Sequence, residues 1–365
     1  MIVLRVLLFL AGAAVVLWGV RSVIRTFLVP RALRTTLGRA VFIGVRRVLR
    51  LWAGERQDYA MRDRVMAYYA PVALITLLVV WVAILLIGFT AMFYALGRFS
   101  PIEAFTVAGS SMFTLGFATR EDAPIVILDF IAAGTGLVFL ALFITYLPSV
   151  YNGFQRRERG VAKLEVRAGQ PPTGVYLIEL AWIVGRLENL RDLFAEWEDW
   201  FTDVDESHSA LPVLAFFRST HSDQSWITAA GAILDAASLY DSSLDTARIP
   251  EPQYMIRSGY LCLRHLAEFF QVPVDHDPRP DDPISIRREE FDEVYDRLAQ
   301  RGVPMRTDRD QCWRDFAGWR VNYDSALVGL ARLTMAPLAP WSSDRYDDVH
   351  FIPRVFPKAR RNASK

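Results

Sequence analysis

A short segment between two long apolar stretches contains the residues that could do chemistry. It opens with Ser-Pro-Ile-Glu at 100–103, the order of a helix start in which Ser100 is the N-cap and Glu103 closes a capping box. The predicted helix ends near Met112 and is too short to cross a bilayer, so the chain must turn back. Irregular backbone at that depth is allowed only where it lines water and is buried in protein, so the turn after this helix is expected to face a water-filled space.

The residues after this helix resemble the selectivity filter of the tetrameric potassium-channel family, whose pattern is Thr-Val-Gly-Tyr-Gly after a short pore helix. In order, the matching positions are Thr114, Leu115, Gly116, Phe117 and, in place of the second glycine, Ala118. A span, a pore helix, a filter and a second span follow one another over residues 65–155, and this context makes the short motif specific. The resemblance implies a two-span channel subunit with a re-entrant loop at 100–119 and four copies around one axis.

In that family, a dehydrating cation exchanges its water for a ring of oxygen atoms. The resemblance assigns this role to the carbonyls of 114–118 and to the Thr114 hydroxyl at the inner end. Gly116 tolerates the alternating backbone conformations that aim carbonyls at one axis, so it is the least replaceable residue. Ala118 would be strained in a left-handed conformation, so we expect looser selectivity. Permeant K⁺ is expected in the filter, and no cofactor is expected.

The last span contains residues that the family could use in gating. Gly134 and Gly136 lie where the family often places a hinge glycine, and Pro148 removes a helix hydrogen bond and can kink the inner end. Close helix packing through small residues explains both glycines equally well. Placing the Asp129 side chain near the outer end of a span costs free energy unless the side chain is paired or hydrated. It therefore either braces the back of the filter or reaches the outer surface.

Three stretches are apolar enough to lie in a membrane. Residues 65–97 carry no charge, and residues 123–155 carry a single acid. The stretch 1–20 is shorter and contains Arg5, so both a cleaved signal peptide and a retained span must be considered. Its Arg-rich flank follows the apolar run instead of preceding it, which favours a retained N-terminal transmembrane helix over 1–20.

Charge divides the chain into a basic membrane part and an acidic soluble part. Residues 1–154 contain 14 Arg and 7 acidic residues, whereas 155–365 contain 27 basic and 33 acidic residues. Arg is concentrated in 21–64 and directly after the last span, so both segments are expected on the cytoplasmic side. The N-terminus is then outside, and we expect a multi-pass protein of the plasma membrane. Nucleic-acid binding is not implied.

The basic segment 21–64 contains an amphipathic helical pattern. Apolar residues recur at helical spacing, and Arg39, Arg46 and Arg50 lie on another face. Two interpretations are open. The helix lies on the inner leaflet with these Arg residues at anionic lipids, or it packs on its own protein.

Residues 156–365 are predicted to form an all-α cytoplasmic domain, which makes the whole chain mainly α. Prolines and a glycine at 171–174 predict a break after a juxtamembrane helix. Apolar spacing predicts further helices over 175–201, 225–239, 254–270, 286–298 and 323–335. No glycine-rich phosphate loop occurs, so the ligand of this domain is not identified.

Groups that could catalyse a reaction or bind a structural metal are not organised into a site. The acidic run at 275–282 contains His276, but its prolines and the lack of a second nearby His favour a solvated loop. Cys262 and Cys312 are expected to be reduced thiols. No nucleophile motif occurs, so we expect no catalytic residue, no structural metal and no enzyme activity.

The sequence therefore predicts passive cation conduction, with potassium as the expected ion, through a homotetrameric pore regulated by a helical cytoplasmic domain. Ala118 keeps two alternatives open, a weakly selective cation channel and a non-conducting membrane scaffold or sensor with a vestigial pore. A membrane-anchored enzyme is a further alternative, and the intact motif at 114–117 argues against it. A potassium-uptake subunit would resemble four pore repeats, whereas one pore segment occurs here.

Overall fold

The computed structural model describes residues 2–27, 36–53 and 59–348, and within these ranges the fold is mainly α. The helices are α1 (Ile2–Phe27), α2 (Thr36–Ala53), α3 (Tyr59–Ala67), α4 (Tyr69–Ala95), α5 (Pro101–Met112), α6 (Ala123–Ala168), α7 (Gly174–Ile183), α8 (Leu190–Ala210), α9 (Trp226–Ser243), α10 (Glu251–Phe269), α11 (Arg288–Gln300), α12 (Arg309–Arg320) and α13 (Asp324–Thr334). Short 3-10 helices cover Leu187–Asn189, Pro212–Phe216 and Ser343–Asp348. The described ranges contain no strand, and their β-structure is an isolated bridge between Leu244 and Met305.

The described residues divide into two compact units. The first comprises the residues up to Val48 together with Pro71–Tyr151, and the second comprises Leu49–Ala70 together with the residues from Asn152 onward. Helix α6 contributes to both units. The expected domain boundary at 155/156 and the observed boundary at 151/152 therefore both lie inside α6.

In the first unit, α1 packs closely on α4 at a pair of glycines. A Cβ atom at Gly12 would lie 2.7 Å from the carbonyl oxygen of Gly88, and one at Gly88 would lie 2.7 Å from the side chain of Val16. The Trp81 indole also donates a hydrogen bond of 3.1 Å to the Ser22 hydroxyl. Small residues let two helix backbones approach in this way. The N-terminal helix is thus a packed part of this unit.

Three helical segments are long and apolar enough to cross a membrane, namely Ile2–Phe27, Asp63–Ala95 and Ala123–Ala168. The first was expected over 1–20, but helical hydrogen bonding continues through the charged residues at its end. The last span and the juxtamembrane helix are likewise one element, because α6 continues unbroken past residue 155. Charge ends the apolar run without ending the helix, because the backbone hydrogen bonds do not depend on side-chain polarity.

In the second unit, α9 is the central helix, and nearly all of its residues are buried. It contacts α7, α8, α10, α12 and α13. Its small side chains permit close approach, since a Cβ atom at Gly174 of α7 would lie 2.5 Å from the backbone nitrogen of Ala236. The core of this unit therefore forms around one helix of small and apolar residues.

Two helix assignments in the second unit differ from the sequence prediction. The helix expected over 175–201 is two helices, α7 and α8, because Gly185 has a φ of 64° and a 3-10 helix follows it. Helix α12 was not predicted, because its many charged residues interrupt the apolar periodicity. The chain between α6 and α7 contains the predicted break around 171–174, although Gly174 is already the first residue of α7.

Candidate functional site

Helix α5 begins with both hydrogen bonds of a capping box. The Ser100 hydroxyl accepts a hydrogen bond of 3.3 Å from the Glu103 amide, and the Ser100 amide donates one of 2.7 Å to the Glu103 carboxylate. Pro101 occupies the first turn, where a missing amide proton costs nothing. The 12 residues of α5 rise about 18 Å, which is well short of a bilayer core. The caps therefore define the start of a helix that must be followed by a turn.

The chain after α5 folds back on the end of that helix through two left-handed residues. The amides of Leu115 and Gly116 donate hydrogen bonds of 2.8 and 3.4 Å to the Ser110 carbonyl. Thr114 has a φ of 55° and Gly116 a φ of 70°. Glycine adopts this region freely. For a β-branched residue such as Thr, the left-handed conformation costs about 1–3 kcal/mol of conformational energy. Residues strained in this way concentrate at functional sites.

The backbone carbonyls of residues 114–117 are the acceptors that this turn leaves unused. Within the described part of the chain, no donor forms a hydrogen bond to any of them. All four residues are exposed, with Leu115 at 62% and Phe117 at 69% of their full accessibility. A run of exposed, unpaired carbonyls can replace the water around a cation.

Ala118 does not have the left-handed conformation that we expected from the sequence. The non-glycine residue with positive φ in this segment is Thr114 instead. The amide of Ala118 donates a hydrogen bond of 3.1 Å to the Ser110 hydroxyl, and this bond holds it in ordinary backbone geometry. The strain predicted for Ala118 was therefore wrong, because the turn places its left-handed residues at 114 and 116.

The carboxylate of Asp129 on α6 reaches both sides of the 114–117 segment. Its Oδ1 accepts a hydrogen bond of 2.5 Å from the Ser111 hydroxyl, and its Oδ2 accepts one of 2.6 Å from the Thr119 hydroxyl. These contacts favour the bracing role over the surface role for Asp129. Sequence reasoning missed Ser110 and Ser111, although two adjacent serines inside an apolar helix were an available signal.

The two glycines in the middle of α6 have different surroundings. A Cβ atom at Gly136 would lie 1.9 Å from the carbonyl oxygen of Met112, the last residue of α5. Among the described residues, no such neighbour lies within 4 Å of Gly134. Gly136 therefore serves the close packing of α6 on α5. Helix α6 runs through Pro148 as one element, and a hinge at Gly134 or Pro148 stays a prediction.

Helix α2 buries one part of its apolar surface and exposes another. Phe42 and Leu49 are buried. The large apolar side chains exposed near its C-terminal end are Val48, Leu51 and Trp52. Of the residues predicted to contact lipid, Arg39 is half-buried, Arg46 has a partner within the chain, and the side chain of Arg50 lies outside the described residues. Protein packing thus accounts for one face, and lipid contact by the other stays a prediction.

In the second unit, a buried guanidinium joins α6 to the segment between α8 and α9. Arg157 is 1% exposed and donates hydrogen bonds of 2.6 and 2.8 Å to the carbonyls of Leu214 and Phe217. The Glu158 carboxylate lies 2.7 Å away, and His208 Nε2 lies 3.2 Å away. Burial, followed by the charge of Arg157, lowers the pKa of His208 well below its usual value. The imidazole is therefore neutral.

A second buried charge cluster joins α9, α12 and α13. Arg320 is fully buried and pairs with Asp235 and with Asp324, the latter at 2.7 Å. The Tyr323 hydroxyl donates a hydrogen bond of 2.9 Å to Asp235. Burial raises the pKa of Asp235 to about 6, against the opposing attraction of Arg320. Each of these charged groups has a partner, which is the arrangement that buried charges require.

The described ranges contain no cluster of side chains for a structural metal, and they contain a cavity of the size of a small organic ligand. Within residues 2–27, 36–53 and 59–348, no three His, Cys, Asp or Glu residues are grouped to hold a metal ion. A cavity of about 400 Å³ lies in the second unit and is lined by apolar residues of α7 and α8, by Val184, and by charged residues of both signs, namely Arg167, Arg186, Asp192 and Glu196. Cavities of this size accept small organic molecules.

The long apolar helices and the absence of strands in the described residues define the class as a mainly α membrane protein. Among known proteins, the uncharacterized membrane protein YdjJ of Bacillus subtilis (strain 168) is similar to this chain. The two are 23% identical over 275 residues, which cover 70% of this chain and 74% of that protein. No family model and no solved structure matches the chain.

Proposed function

We propose that four copies of this chain form a membrane pore that conducts cations passively, with potassium as the permeant ion. The observation that carries the proposal is the run of four exposed residues at 114–117 whose carbonyls accept no hydrogen bond within the described part of the chain, on a turn after a short capped helix and between two long apolar helices. A cation that gives up its hydration needs several such oxygen atoms in its place.

The resemblance to the potassium-channel filter implies the number of copies. One chain supplies one set of carbonyls, which cannot surround an ion, and the resemblance to the potassium-channel filter suggests four sets around an axis. Exposed large apolar side chains on the loop, Leu115 and Phe117, support association, because such groups mark contact surfaces. The excess of Arg in 21–64 supports a cytoplasmic location for that segment and for the domain after α6, with the N-terminus outside the plasma membrane.

The charges around the loop favour a cation over an anion. The carboxyl end of α5 carries a partial negative charge, and the 114–117 segment folds back directly on that end. The carboxylate of Asp129 adds a negative charge at hydrogen-bonding distance from residues on both sides of the segment. Both charges stabilise a positive ion near the carbonyls.

A weakly selective cation pore is the second candidate, and Ala118 is the observation that favours it. This residue stands where the potassium-channel pattern has its second glycine, and its amide is held by the Ser110 hydroxyl. Because Ala118 lacks the positive φ that a second glycine could adopt, its carbonyl is expected to point differently from that of a filter with two glycines, so discrimination between potassium and sodium is expected to be lower.

Regulation by the domain after α6 is part of the proposal. Helix α6 is one element from Ala123 to Ala168, and Arg157 joins it to the rest of the second unit through buried hydrogen bonds. A ligand in the cavity between α7 and α8 would bias opening if it bound the open and closed states with different affinities.

The test is a flux assay on the full chain in liposomes, with potassium and sodium gradients compared. Gly116→Ala places a side chain at a φ of 70°, which costs about 1–2 kcal/mol and turns the carbonyls away from the axis, so we expect flux to fall by about tenfold or more. Gly109→Ala on α5 is the matched control, since the nearest atom to its Cβ would be 3.9 Å away.

Three outcomes distinguish the candidates. Potassium flux that Gly116→Ala abolishes and Gly109→Ala preserves supports a selective pore. Comparable sodium and potassium flux supports the weakly selective pore. A wild-type protein that assembles but moves neither ion contradicts conduction and leaves the scaffold or sensor role.

A further inference from the structure

We infer that Asp129 is a positioning residue that clamps both ends of the 114–117 segment and thereby sets its ion selectivity. The inference about selectivity rests on the proposed function, whereas the clamp itself is a structural statement about the loop. The residue does not touch the segment's carbonyls and acts on them through two hydroxyl groups.

The contacts of Asp129 join three separate parts of the chain. Ser111 lies in the last turn of α5, Thr119 lies in the chain that leaves the loop, and Asp129 lies in α6. The carboxylate accepts a hydrogen bond of 2.6 Å from the Thr119 hydroxyl and one of 2.5 Å from the Ser111 hydroxyl, whose single proton has the Val107 carbonyl at 2.8 Å as its other acceptor. Hydrogen bonds to an ionised acceptor are short and stronger than neutral ones. One carboxylate therefore bonds to a residue before the 114–117 segment and to a residue after it.

Two further observations show that the clamp is the main interaction of this carboxylate. Among the described residues, no basic side chain forms an ion pair with Asp129. The residue is half-buried on a helix that is otherwise uncharged over 123–155, where an acid is costly. A carboxylate without a basic partner in that place is held by its two hydroxyl donors.

Ser110, the neighbour of Ser111, forms further hydrogen bonds to the loop. The Ser110 hydroxyl accepts the Ala118 amide at 3.1 Å, and the Ser110 carbonyl accepts the amides of Leu115 and Gly116. Ser110 thus holds the inside of the turn while Asp129 holds its two ends. Release of the ends would let the carbonyls at 114–117 adopt several orientations, which removes discrimination between ions of different size.

The experiment measures the potassium-to-sodium permeability ratio of the full chain in liposomes for Asp129→Asn, Thr119→Val and the double variant. Asp129→Asn is expected to lower the ratio by about tenfold, which corresponds to about 1.4 kcal/mol. The double variant should be no worse than Asp129→Asn alone, because both changes remove the same contact. Thr135→Val is the control, since within the described part of the chain this α6 hydroxyl bonds to no group but the Ile131 carbonyl of its own helix.

A second readout does not depend on conduction. Amide hydrogen exchange of residues 115–118 should become faster by about tenfold in Asp129→Asn and Thr119→Val, and stay unchanged in Thr135→Val. If the wild type conducts no ion but exchange still accelerates, the proposed function fails and the clamp stands. If correctly assembled Asp129→Asn changes neither exchange nor the permeability ratio, the clamp is wrong. Thr119→Val alone decides the matter if Asp129→Asn does not assemble.

Discussion

The replacement Gly136→Ala tests how tightly α6 packs on α5. The added Cβ atom would lie 1.9 Å from the Met112 carbonyl oxygen and 2.9 Å from the Met112 carbonyl carbon. Both are backbone atoms, so no side chain can rotate away and α5 must move relative to α6. Overpacking of this kind costs about 1–3 kcal/mol.

The matched control is Gly134→Ala on the same helix, where the described residues leave open space around the new atom. Alanine there should be neutral or gain about 0.5–1 kcal/mol, because it restricts the unfolded chain more than glycine does. The expected difference in stability between the two variants is about 1–4 kcal/mol. The assay is the apparent melting temperature of each purified full-length variant in detergent, together with potassium flux in liposomes.

Gly136→Ala should melt several degrees below wild type and conduct less, because the end of α5 that supports the 114–117 segment is displaced. Gly134→Ala should match wild type in melting temperature. Equal melting temperatures and equal flux for the two variants would refute the close approach of α5 and α6. A loss confined to Gly134→Ala would instead favour the hinge interpretation.

The remaining predictions concern the two buried charge clusters. Arg157→Met leaves the Phe217 carbonyl without its donor, at about 1–3 kcal/mol, while the Leu214 carbonyl keeps the Phe217 amide as a donor, so we expect a lower melting temperature and loss of any modulation of flux that the full chain shows. Asp235→Ala removes one partner of the buried Arg320 and should cost about 3–5 kcal/mol, measured as chemical or thermal unfolding of the second unit within the full chain.

Adjacent and exposed residues provide the controls for these variants. Arg156→Met removes a half-exposed ion pair with Asp203 of 3.5 Å, which should cost less than about 1 kcal/mol. If Arg156→Met and Arg157→Met behave alike, the buried contacts do not join α6 to the domain. Asp203→Ala is the control for Asp235→Ala, and an equal effect of these two changes would contradict a role for burial.

Local features of this protein could be derived from the sequence. The capping box at Ser100 and Glu103 depends on residues three positions apart, and both of its hydrogen bonds are present. The apolar helices could be located because length and hydropathy decide whether a helix can cross a membrane. The mainly α class follows from the same periodic patterns. Charge was a poor guide to helix ends, since α1 and α6 both continue through Arg residues.

The tertiary structure decided which of several equivalent residues matter. Nothing in the sequence separates Gly134 from Gly136, yet the backbone of α5 at Met112 leaves no room for a larger residue at the second of them. The partners of Asp129, the burial of Arg157 and the ordinary backbone of Ala118 likewise depend on segments distant in sequence that meet in space. Pattern reasoning is limited to neighbours along the chain, whereas these contacts are set by which helices pack together.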